Sequence, residues 1–459
     1  MSDYDVVVLG SGIAGLSATL AAHEAGLKPL LLEKFDLLGG GTTNSYGLIW
    51  VGENHLQLQS GLEDSRDDIV KYMRFLGGGE LNEERMTTFV DQSPAVLKRF
   101  ADWGIPFRLV RGVTDHYFGM APGAIAEGRT LEAELISGFD LGEWKDRIVI
   151  PDDVPCYITA EEQVTWGGMN RFSQWDQDVV RERKARDMRG KGLGLVCHFV
   201  KALSDRKIPI MTRQKVESLT FDGKRVIGVR MEGGETINAA KGVVLATGGY
   251  DWNVELAKGL EGLPNLVPMG PESLTGDGLV LGAEVGAMIF DQQYLNQFSF
   301  GNRPVGSPVP DTIPRANNLP ALAKRLGVDA DRFVATIEQF NCFARSGVDQ
   351  DFHRGELKWK LASSKGQTGK NPALGTIEVG PFYGVELLPS IGNSAGLLAN
   401  AEGQVMHRRQ RPIPGLYASG VVAARDEGGA GYQAGLTLAA AMTFSYLAVQ
   451  HMVGEAARS

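Results

Sequence analysis

Short apolar runs and one helical pattern open the chain. The run DVVVL at 5–9 is rich in valine and stops at a glycine, which predicts a buried parallel strand. From Ile13 onward apolar residues recur at helical spacing, and Gly26 lies where a glycine commonly follows the end of a helix. A second apolar run at 30–32 ends at Glu33. We therefore predict a βαβ unit at the start of the chain.

Helical and strand patterns alternate along the rest of the chain. Helical spacing or a charged helical face predicts helices at 62–105, 176–190, 193–204 and 435–453, and a pair of helices at 319–344. Alternating short runs at 208–239 predict an antiparallel meander with a turn at Asp222-Gly223, followed by a buried strand at 242–245. The stretch 106–175 is rich in turn residues, and 299–318 concentrates Pro, Gly and Asn. This mixture predicts an α/β fold.

Length and glycine content suggest a ligand-binding protein with more than one unit. The chain has 459 residues, whereas single hydrophobic cores stop growing near roughly 250–300 residues. Glycine accounts for 59 of those residues, against a usual share of about 7%. No repeat explains this excess. It indicates many places where the backbone turns sharply or approaches a ligand closely.

Charge, cysteine usage and the N-terminus narrow the class of protein. The chain has 46 basic and 55 acidic residues and a net charge of −9, which disfavours a nucleic-acid partner. Cys156, Cys197 and Cys342 lie far apart, which argues against a disulfide scaffold, a structural zinc site and attached haem. The acidic N-terminus is unlike a signal peptide, and no uninterrupted apolar stretch reaches ~18 residues. We expect a cytoplasmic protein with no transmembrane segment.

A glycine-rich motif, G-x-G-x-x-G, joins the first predicted strand to the first helix. Its first glycine permits a tight turn, its second lets the backbone approach a pyrophosphate, and its third lets the helix pack on the strand. The helix N-terminus stabilises the phosphate charge. Glu33 is placed to accept a hydrogen bond from a ribose hydroxyl, with Lys34 beside it. The motif consists of Gly10, Ser11, Gly12, Ile13, Ala14 and Gly15.

Further glycine-rich segments favour FAD over NAD. One segment follows the ribose acid and has hydroxyl side chains suited to the phosphates of a longer ligand, and two more precede the last third of the chain. The start of the C-terminal helix is placed to stabilise negative charge on a reduced flavin. The predicted cofactor-binding residues in and near these segments are Gly40, Gly41, Thr42, Thr43, Ser45, Gly47, Leu48, Val216, Ala246, Thr247, Gly248, Asp277, Gly420, Leu436, Thr437 and Leu438.

The order of these motifs resembles the fumarate reductase/succinate dehydrogenase flavoprotein superfamily, over most of the chain. The resemblance implies non-covalently bound FAD and a Rossmann-type FAD-binding domain interrupted by a smaller α+β substrate domain. We expect the FAD domain at 1–289 and 377–459 and the substrate domain at 290–376. The second domain is shorter than usual for the family, because several dozen residues are missing between Asp291 and Ala316.

Two later segments distinguish the branches of this superfamily. Dicarboxylate reductases carry a His–Thr pair and an arginine that grip carboxylates, but neither GNSAG at 392–396 nor GAGYQAG at 429–435 contains a histidine or arginine. Bidentate capture of a carboxylate favours a guanidinium, so succinate and fumarate fit poorly as substrates. DHYF at 115–118, EGRTLE at 127–132 and AMTF at 441–444 are similar to the 3-ketosteroid Δ1-dehydrogenase branch.

The resemblance to that branch implies a reaction and its catalytic residues. Tyr117 and Tyr432 would line the active site, with the Gly435 amide as a second donor to the carbonyl oxygen, although Tyr432 lies one residue closer to Gly435 than is usual. The family's catalytic base belongs to the missing segment, which leaves Tyr117 and Tyr294 as the nearby phenols. The implied activity is desaturation of a ketone, a 3-ketosteroid or a smaller cyclic ketone, with FAD as hydride acceptor and an external electron acceptor.

Two other functions and two other residues stay open at this point. The same chemistry could run in reverse in an ene-reductase, or the chain could be an electron-carrying flavoprotein subunit, as its short substrate domain suggests. Arg425 could meet an acidic group on the substrate or form a local ion pair with Asp426 and Glu427. His116 could carry a proton or be a hydrogen-bonded structural residue.

Overall fold

The structure, a computed structural model, describes residues 4–152, 154–261, 268, 270–285, 289–291, 315–351, 370–371, 374–383, 395–429 and 431–456. Its helices are α1 (Ile13–Glu24), α2 (Gly40–Thr43), α3 (His55–Gln59), α4 (Arg66–Gly77), α5 (Glu83–Asp102), α6 (Ala160–Thr165), α7 (Gln177–Ala185), α8 (Lys191–Asp205), α9 (Val254–Glu261), α10 (Asp277–Glu284), α11 (Leu319–Leu326), α12 (Ala330–Ser346) and α13 (Leu436–Ala456). Short 3-10 helices cover Gly138–Trp144, Met169–Gln174 and Gly420–Val422.

The strands are mostly short. They are β1 (Tyr4–Leu9), β2 (Pro29–Leu32), β3 (Ile49–Trp50), β4 (Phe107–Leu109), β5 (Thr130–Ala133), β6 (Ile136–Ser137), β7 (Met188–Arg189), β8 (Ile210–Met211), β9 (Val216–Phe221), β10 (Val226–Met231), β11 (Thr236–Leu245), β12 (Ile289–Asp291), β13 (Arg315–Ala316), β14 (Phe382–Tyr383), β15 (Ala395–Leu397), β16 (Gln404–His407) and β17 (Arg411–Ala418).

A largely parallel sheet is the centre of the fold. Its strand order is β16-β17-β11-β1-β2-β8. The pairs from β17 to β8 are parallel, and β16 pairs antiparallel with β17. Parallel neighbours need a crossover connection, which α1 supplies between β1 and β2. The carboxyl ends of the parallel strands therefore meet at one edge of the sheet.

Both faces of the sheet are buried. In β1, Val6 and Val8 pack into one hydrophobic cluster and Val7 and Leu9 into another, as the two-residue period of a strand requires. The first cluster contains α1, α5, α8 and α13, and the second contains the ribbon of β9 and β10. This burial on two sides explains why β1 reads as a continuous apolar run.

The predicted βαβ unit and the meander are confirmed. β9, β10 and β11 form antiparallel neighbours, and the predicted turn at Asp222-Gly223 connects β9 to β10. The buried strand predicted at 242–245 is the carboxyl half of β11, which continues into the parallel sheet. The long strand β11 thus belongs both to the antiparallel ribbon and to the parallel sheet.

Three local predictions need correction. The helical region at 62–105 is two helices, α4 and α5, because Gly78 ends α4 in a left-handed conformation with φ of 57°. The turn-rich stretch 106–175 contains strands β4 and β5, which form a short antiparallel sheet with β3. The charged stretch at 176–190, predicted as one solvated helix face, is exposed along much of α7. Arg189, which follows α7 within that stretch, is only 2% exposed because it binds Asp187 and the carbonyl of Lys145.

The C-terminal helix α13 is long and apolar. Its stretch Leu436–Gly454 has the length and composition of a membrane span, and 61% of that window is buried inside the fold. The helix packs against α1 and α5. A helix that is apolar on all sides is expected where it is surrounded by protein.

The segment predicted as a substrate domain, 290–376, is described in part. Its helices α11 and α12 pack on each other, and Asn318 caps α11 by accepting from the Ala321 N–H. Strand β13 pairs antiparallel with β14, which lies just beyond the predicted boundary at 377. Tyr294, one of the predicted phenols, lies outside the described residues. The two-domain division stays a prediction.

Candidate cofactor and active site

A cavity of about 560 Å³ lies at the carboxyl ends of the parallel strands. Leu9, Leu32 and Ala246, at or next to the ends of β1, β2 and β11, line one part of it. Ligands in open α/β sheets bind at this edge, where the strands stop and the loops diverge. The volume is within the range of roughly 300–1,000 Å³ that small-molecule and cofactor sites occupy.

The three glycines of the first loop have different steric environments. A Cβ on Gly10, where φ is +103°, would lie 2.4 Å from the carbonyl oxygen of Ala246, and one on Gly15 would lie 1.8 Å from that of Gly10. A Cβ on Gly12 would meet only Thr42 Oγ1 at 3.5 Å and Gly39 O at 4.0 Å. The first and third glycines are therefore required for the fold, and the second keeps space open in the cavity wall.

The N-terminus of α1 faces this cavity. Gly12 is its N-cap and supplies no side-chain acceptor, so the first-turn N–H groups depend on other partners. One partner is Thr42, whose Oγ1 accepts from the Ile13 N–H at 3.0 Å. The other exposed donors and the positive end of the helix suit a phosphate. This arrangement fits the pyrophosphate of a dinucleotide.

Glu33 ties the strand end to the glycine loop. Its Oε2 accepts from the Ser11 N–H at 3.0 Å and the Ser11 hydroxyl at 2.7 Å, and its Oε1 accepts from the Phe35 N–H at 3.0 Å. The side chain is 8% exposed and lines the cavity. The carboxylate therefore fixes the shape of the loop, a role that sequence reasoning missed. Its place in the cavity wall suits the predicted ribose contact.

Two more predicted residues, Lys34 and Asp277, meet across the cavity wall. The Lys34 ammonium donates to the Asp277 carboxylate and to the hydroxyl of Thr275. Both charged side chains are partly buried, at 21% and 34% exposure. The pair connects the end of β2 to the start of α10 in the lining of the cavity.

The opposite part of the cavity contains the turn that precedes α13. Gly435 has φ of +91°, and a Cβ there would lie 2.7 Å from the backbone nitrogen of Trp50. The Trp50 N–H donates to the Gly435 carbonyl at 3.2 Å. Only glycine fits this close approach. Tyr432 and Gly435 both line the cavity, as predicted for the two carbonyl donors.

Gln433, which also lines the cavity, anchors the same turn through its side-chain amide. It is 2% exposed, and its Oε1 accepts from the Tyr72 hydroxyl at 2.5 Å and from the His116 N–H at 3.0 Å. The His116 ring stacks on Tyr432, with ring centroids 5.1 Å apart. Burial lowers the pKa of His116 below its usual value, so the imidazole is neutral near physiological pH. These contacts support a structural role for His116 rather than a role as a proton carrier.

Tyr117 lies outside the lining of this cavity. Its ring packs edge-on against Phe75, with centroids 5.7 Å apart, at the border of the main hydrophobic cluster. His116, the residue before Tyr117, faces the turn instead. Asp115, which precedes His116, is held in place by the Arg129 guanidinium and the Trp50 indole N–H. The structure thus brings His116, and not Tyr117, to Tyr432.

The carboxylates next to Arg425 have another arginine as a partner. The adjoining carboxylates Asp426 and Glu427 bind Arg85, with N–O distances of 2.7 and 3.0 Å. The Arg85 guanidinium is 3% exposed and also stacks over the Phe444 ring. These carboxylates therefore anchor the loop before α13 to α5.

Most predicted cofactor residues line one cavity. Gly15, Thr43 and Leu436 do not line it: Gly15 packs on the Gly10 backbone, Thr43 bonds to the Gly40 carbonyl, and Leu436 is 1% exposed in the core. Those in the lining are Gly10, Ser11, Gly12, Ile13, Ala14, Glu33, Lys34, Gly40, Gly41, Thr42, Ser45, Gly47, Leu48, Val216, Ala246, Thr247, Gly248, Asp277, Gly420, Thr437 and Leu438.

Several lining residues were missed from the sequence. They come from segments next to the predicted motifs. Closeness in sequence to a predicted motif was the one signal that could have identified them. They include Asn44, Tyr46, Gln214, Lys215, Asp251, Ser273, Leu274 and Gln433.

Known proteins resemble this chain over nearly its full length. The sequence profile of a family described as FAD binding domain matches residues 5–306 and 309–438. The 4-oxocyclohexanecarboxylate 2-dehydrogenase of Sinomonas cyclohexanicum is 30% identical, over 99% of this chain and 94% of that protein. The 3-oxosteroid 1-dehydrogenase of Mycolicibacterium smegmatis is 27% identical, over 100% and 98%.

Structural comparison gives the same fold. The crystal structure of 3-ketosteroid delta1-dehydrogenase from Sterolibacterium denitrificans matches with a TM-score of 0.88 at 24% identity, over 98% of this chain and 99% of that one. The alignment with the Sinomonas protein runs over 545 positions, whereas this chain has 459 residues. That relative therefore contains residues with no counterpart here, in line with the short chain noted in the sequence.

Proposed function

Because this chain belongs to the FAD binding domain family, we propose that it is an FAD-dependent dehydrogenase that introduces a carbon–carbon double bond beside the carbonyl of a cyclic ketone. The cofactor is FAD, and the enzyme is an oxidoreductase that acts on CH–CH groups. The observation that carries the proposal is one cavity that joins the glycine loop at Gly12 to a phenol and a helix start at Tyr432 and Gly435.

The residues of the cavity suit FAD. Gly12 leaves room in the wall for a pyrophosphate, and the α1 N-terminus supplies donors. Glu33 is the ribose acceptor in this proposal, and the start of α13 after Gly435 would stabilise negative charge on the flavin. When bound, FAD supplies a hydride acceptor, and the protein supplies orientation and electrostatics. None of these contacts requires a covalent bond to the flavin.

Two donors are proposed to bind the carbonyl oxygen of the ketone. Tyr432 and Gly435 belong to the same turn and line the same cavity. Hydrogen bonds to that oxygen acidify the α-carbon, because negative charge moves onto oxygen in the transition state. The His116 ring and Gln433 support the turn, which keeps the phenol in a fixed place.

A ring ketone is the proposed substrate class. The names of the two curated relatives each contain a ring ketone, 4-oxocyclohexanecarboxylate and a 3-oxosteroid. The cavity wall is predominantly apolar, and Leu48, Val421 and Ala441 are among the residues that line it. We further propose that the segment around 290–376 covers the ketone as a smaller substrate domain, and that an external acceptor reoxidises the flavin.

The test is anaerobic mixing of the purified holoenzyme with saturated ring ketones, including 4-oxocyclohexanecarboxylate and a 3-oxosteroid. The proposal expects the visible absorption band of oxidised flavin to bleach with at least one of them, at a rate that saturates with ketone. Photoreduced enzyme that is rapidly reoxidised by an enone, with no bleaching by any saturated ketone, would instead identify an ene-reductase. No response to either class of compound would leave an electron-carrying subunit as the function.

A further inference from the structure

A second phenol, that of Tyr46, lines the same cavity as Tyr432. Within the described part of the chain these are the two tyrosines of the cavity wall. Tyr46 precedes the short strand β3, whose Trp50 is hydrogen-bonded to Gly435. The segment that contains Tyr46 is therefore tied to the turn that contains the proposed carbonyl donors.

A buried ammonium group lies beside the Tyr46 ring. The Nζ of Lys191 is 4.8 Å from the centroid of that ring, and the Lys191 residue is 0% exposed. The ammonium donates to Oε1 of Gln163, which is a neutral acceptor. A cation over an aromatic ring is attractive, and it is more attractive still when the phenol has lost its proton.

The backbone around the two residues is interlocked. Lys191 has φ of +55°, a conformation that residues other than glycine rarely adopt and that persists where the surroundings impose it. A Cβ on Gly47 would lie 2.2 Å from the backbone carbon of Lys191, and the Gly192 N–H donates to the Ser45 carbonyl at 3.2 Å. The loop from Ser45 to Gly47 and the start of α8 therefore form one rigid unit at the cavity.

The other titratable groups near Lys191 are Glu132 and Cys156. Glu132 is 0% exposed, its Oε2 accepts from the Ala160 N–H at 2.6 Å, and burial raises the pKa of its carboxyl. Cys156 is also buried nearby. Burial lowers the pKa of Lys191 to about 8, so the side chain is still largely an ammonium near neutral pH.

We propose that Tyr46 is the catalytic base of the ketone desaturation, with the Lys191 ammonium as the group that stabilises its phenolate. The phenolate oxygen takes the α-proton of the ketone and becomes a phenol, while the electron pair of that C–H bond forms the new carbon–carbon double bond. The β-carbon loses a hydride, for which bound FAD would be the acceptor, so the substrate loses one proton and one hydride. This assignment rests on the proposed function and fills the role for which the sequence offered Tyr117 and Tyr294.

The first test separates proton removal from hydride transfer. Enzyme whose flavin has been reduced beforehand cannot accept a hydride, but its base can still exchange the α-hydrogens of a saturated ketone with deuterated water. Wild-type protein is expected to catalyse this exchange. In Tyr46→Phe the exchange rate is expected to fall by a factor of about 10²–10⁴. Tyr446→Phe is the matched control, because Tyr446 packs near Trp103 outside the cavity lining, and it should exchange at the wild-type rate.

The second test reads the phenol directly. In holoenzyme labelled with ¹³C at tyrosine Cζ, one resonance is expected to titrate at lower pH than the others. It should be absent in Tyr46→Phe and should move to higher pH in Lys191→Met, which removes the charge at similar length. Both variants must retain bound FAD, which shows that the cavity is intact.

The outcomes distinguish this proposal from the proposed function. Exchange in Tyr46→Phe within about threefold of wild type, against the 10²-fold or more expected of a lost general base, overturns the assignment of Tyr46. A low-pH resonance that Lys191→Met leaves unmoved overturns the role of Lys191. Wild-type enzyme that desaturates a ketone but never exchanges its α-hydrogens also contradicts the proposal. Wild-type enzyme that does neither contradicts the proposed function itself.

Discussion

The imidazole of His116 stacks on the phenol ring of Tyr432, with centroids 5.1 Å apart and planes inclined by 26°. The two residues come from loops more than three hundred positions apart in sequence, and Gln433 joins these loops by accepting from the His116 N–H. An aromatic neighbour at this distance restricts how the phenol can rotate. The stack therefore orients Tyr432 in the wall of the cavity before any ligand binds.

The Tyr432 hydroxyl can be tested by removing it alone. In Tyr432→Phe the ring and its stack on His116 are kept, but a donor to the developing oxyanion is lost. We expect the rate of flavin reduction by a saturated ketone to fall by about 10²–10³. Stopped-flow absorbance measures this rate. FAD content and ketone affinity should stay near the wild-type values, and an unchanged rate would remove Tyr432 from the mechanism.

His116 should make the fold sensitive to acid. Burial lowers its pKa in the folded protein, so below about pH 6.5, the usual pKa of histidine, the unfolded chain binds the proton more readily. This contribution to stability is present above that pH and is lost as the pH falls. His116→Gln removes it, so from about pH 7.5 to 5.5 the variant should lose less unfolding free energy than wild type, by at most about 1.4 kcal/mol.

Urea denaturation at the two pH values measures this difference. His23→Gln is the control, because His23 is exposed near the end of α1 and the substitution should leave the pH dependence unchanged. An identical pH dependence in wild type and His116→Gln would show that His116 is not buried in the neutral form.

The first and second glycines of the loop should respond differently to the same change. Gly12→Ala has room for its Cβ within the protein, so the protein should fold, but the methyl group enters the cavity and should weaken FAD binding by about tenfold or more. Gly10→Ala meets the Ala246 carbonyl and a left-handed backbone, which should cost about 3 kcal/mol or more of stability. Flavin absorbance and thermal unfolding measure the two effects. Gly12→Ala with full FAD occupancy would refute the pyrophosphate assignment.

A buried ion cluster supports the loop that contains His116. The Arg129 guanidinium is 0% exposed and binds Asp64 at 2.6 Å and Asp115 at 2.9 Å. Arg129→Met would leave two buried carboxylates without their cation and should reduce the unfolding free energy by about 3–5 kcal/mol. Arg181→Met is the control, because Arg181 pairs with Asp178 on an exposed surface and should change stability by less than about 1 kcal/mol. Comparable melting curves for both variants would contradict this account.

The local parts of the fold were predictable from the sequence. β1, α1 and β2 follow from apolar runs and glycines, because their signals lie within a few residues of one another. The break between α4 and α5 was also present in the sequence, as the glycines at 77–79, but the helical pattern on both sides obscured it. β4 and β5 have three and four residues, which is too short for a two-residue period to stand out.

The site was predictable where backbone geometry decides it. Gly10 and Gly435 have left-handed backbones and close neighbours, and glycine in a motif signals such places. Contacts between side chains that are distant in sequence were not predictable, because they depend on tertiary packing. Lys191 directly follows the charged stretch 176–190, which suggests solvent exposure, yet it is 0% exposed beside Tyr46. Tyr117 was assigned to the site by resemblance, whereas in the structure it packs on Phe75 and its neighbour His116 stacks on Tyr432.

Product analysis of a single anaerobic turnover tests the central claim most directly. Holoenzyme is mixed with a slight excess of a saturated ring ketone, the bleaching of the flavin is recorded, and the ketone is then analysed by mass spectrometry and NMR. The account predicts one molecule of α,β-unsaturated ketone, lighter by two hydrogen atoms, for each flavin reduced. Flavin reduction without any enone, or enone formed without flavin reduction, would contradict it.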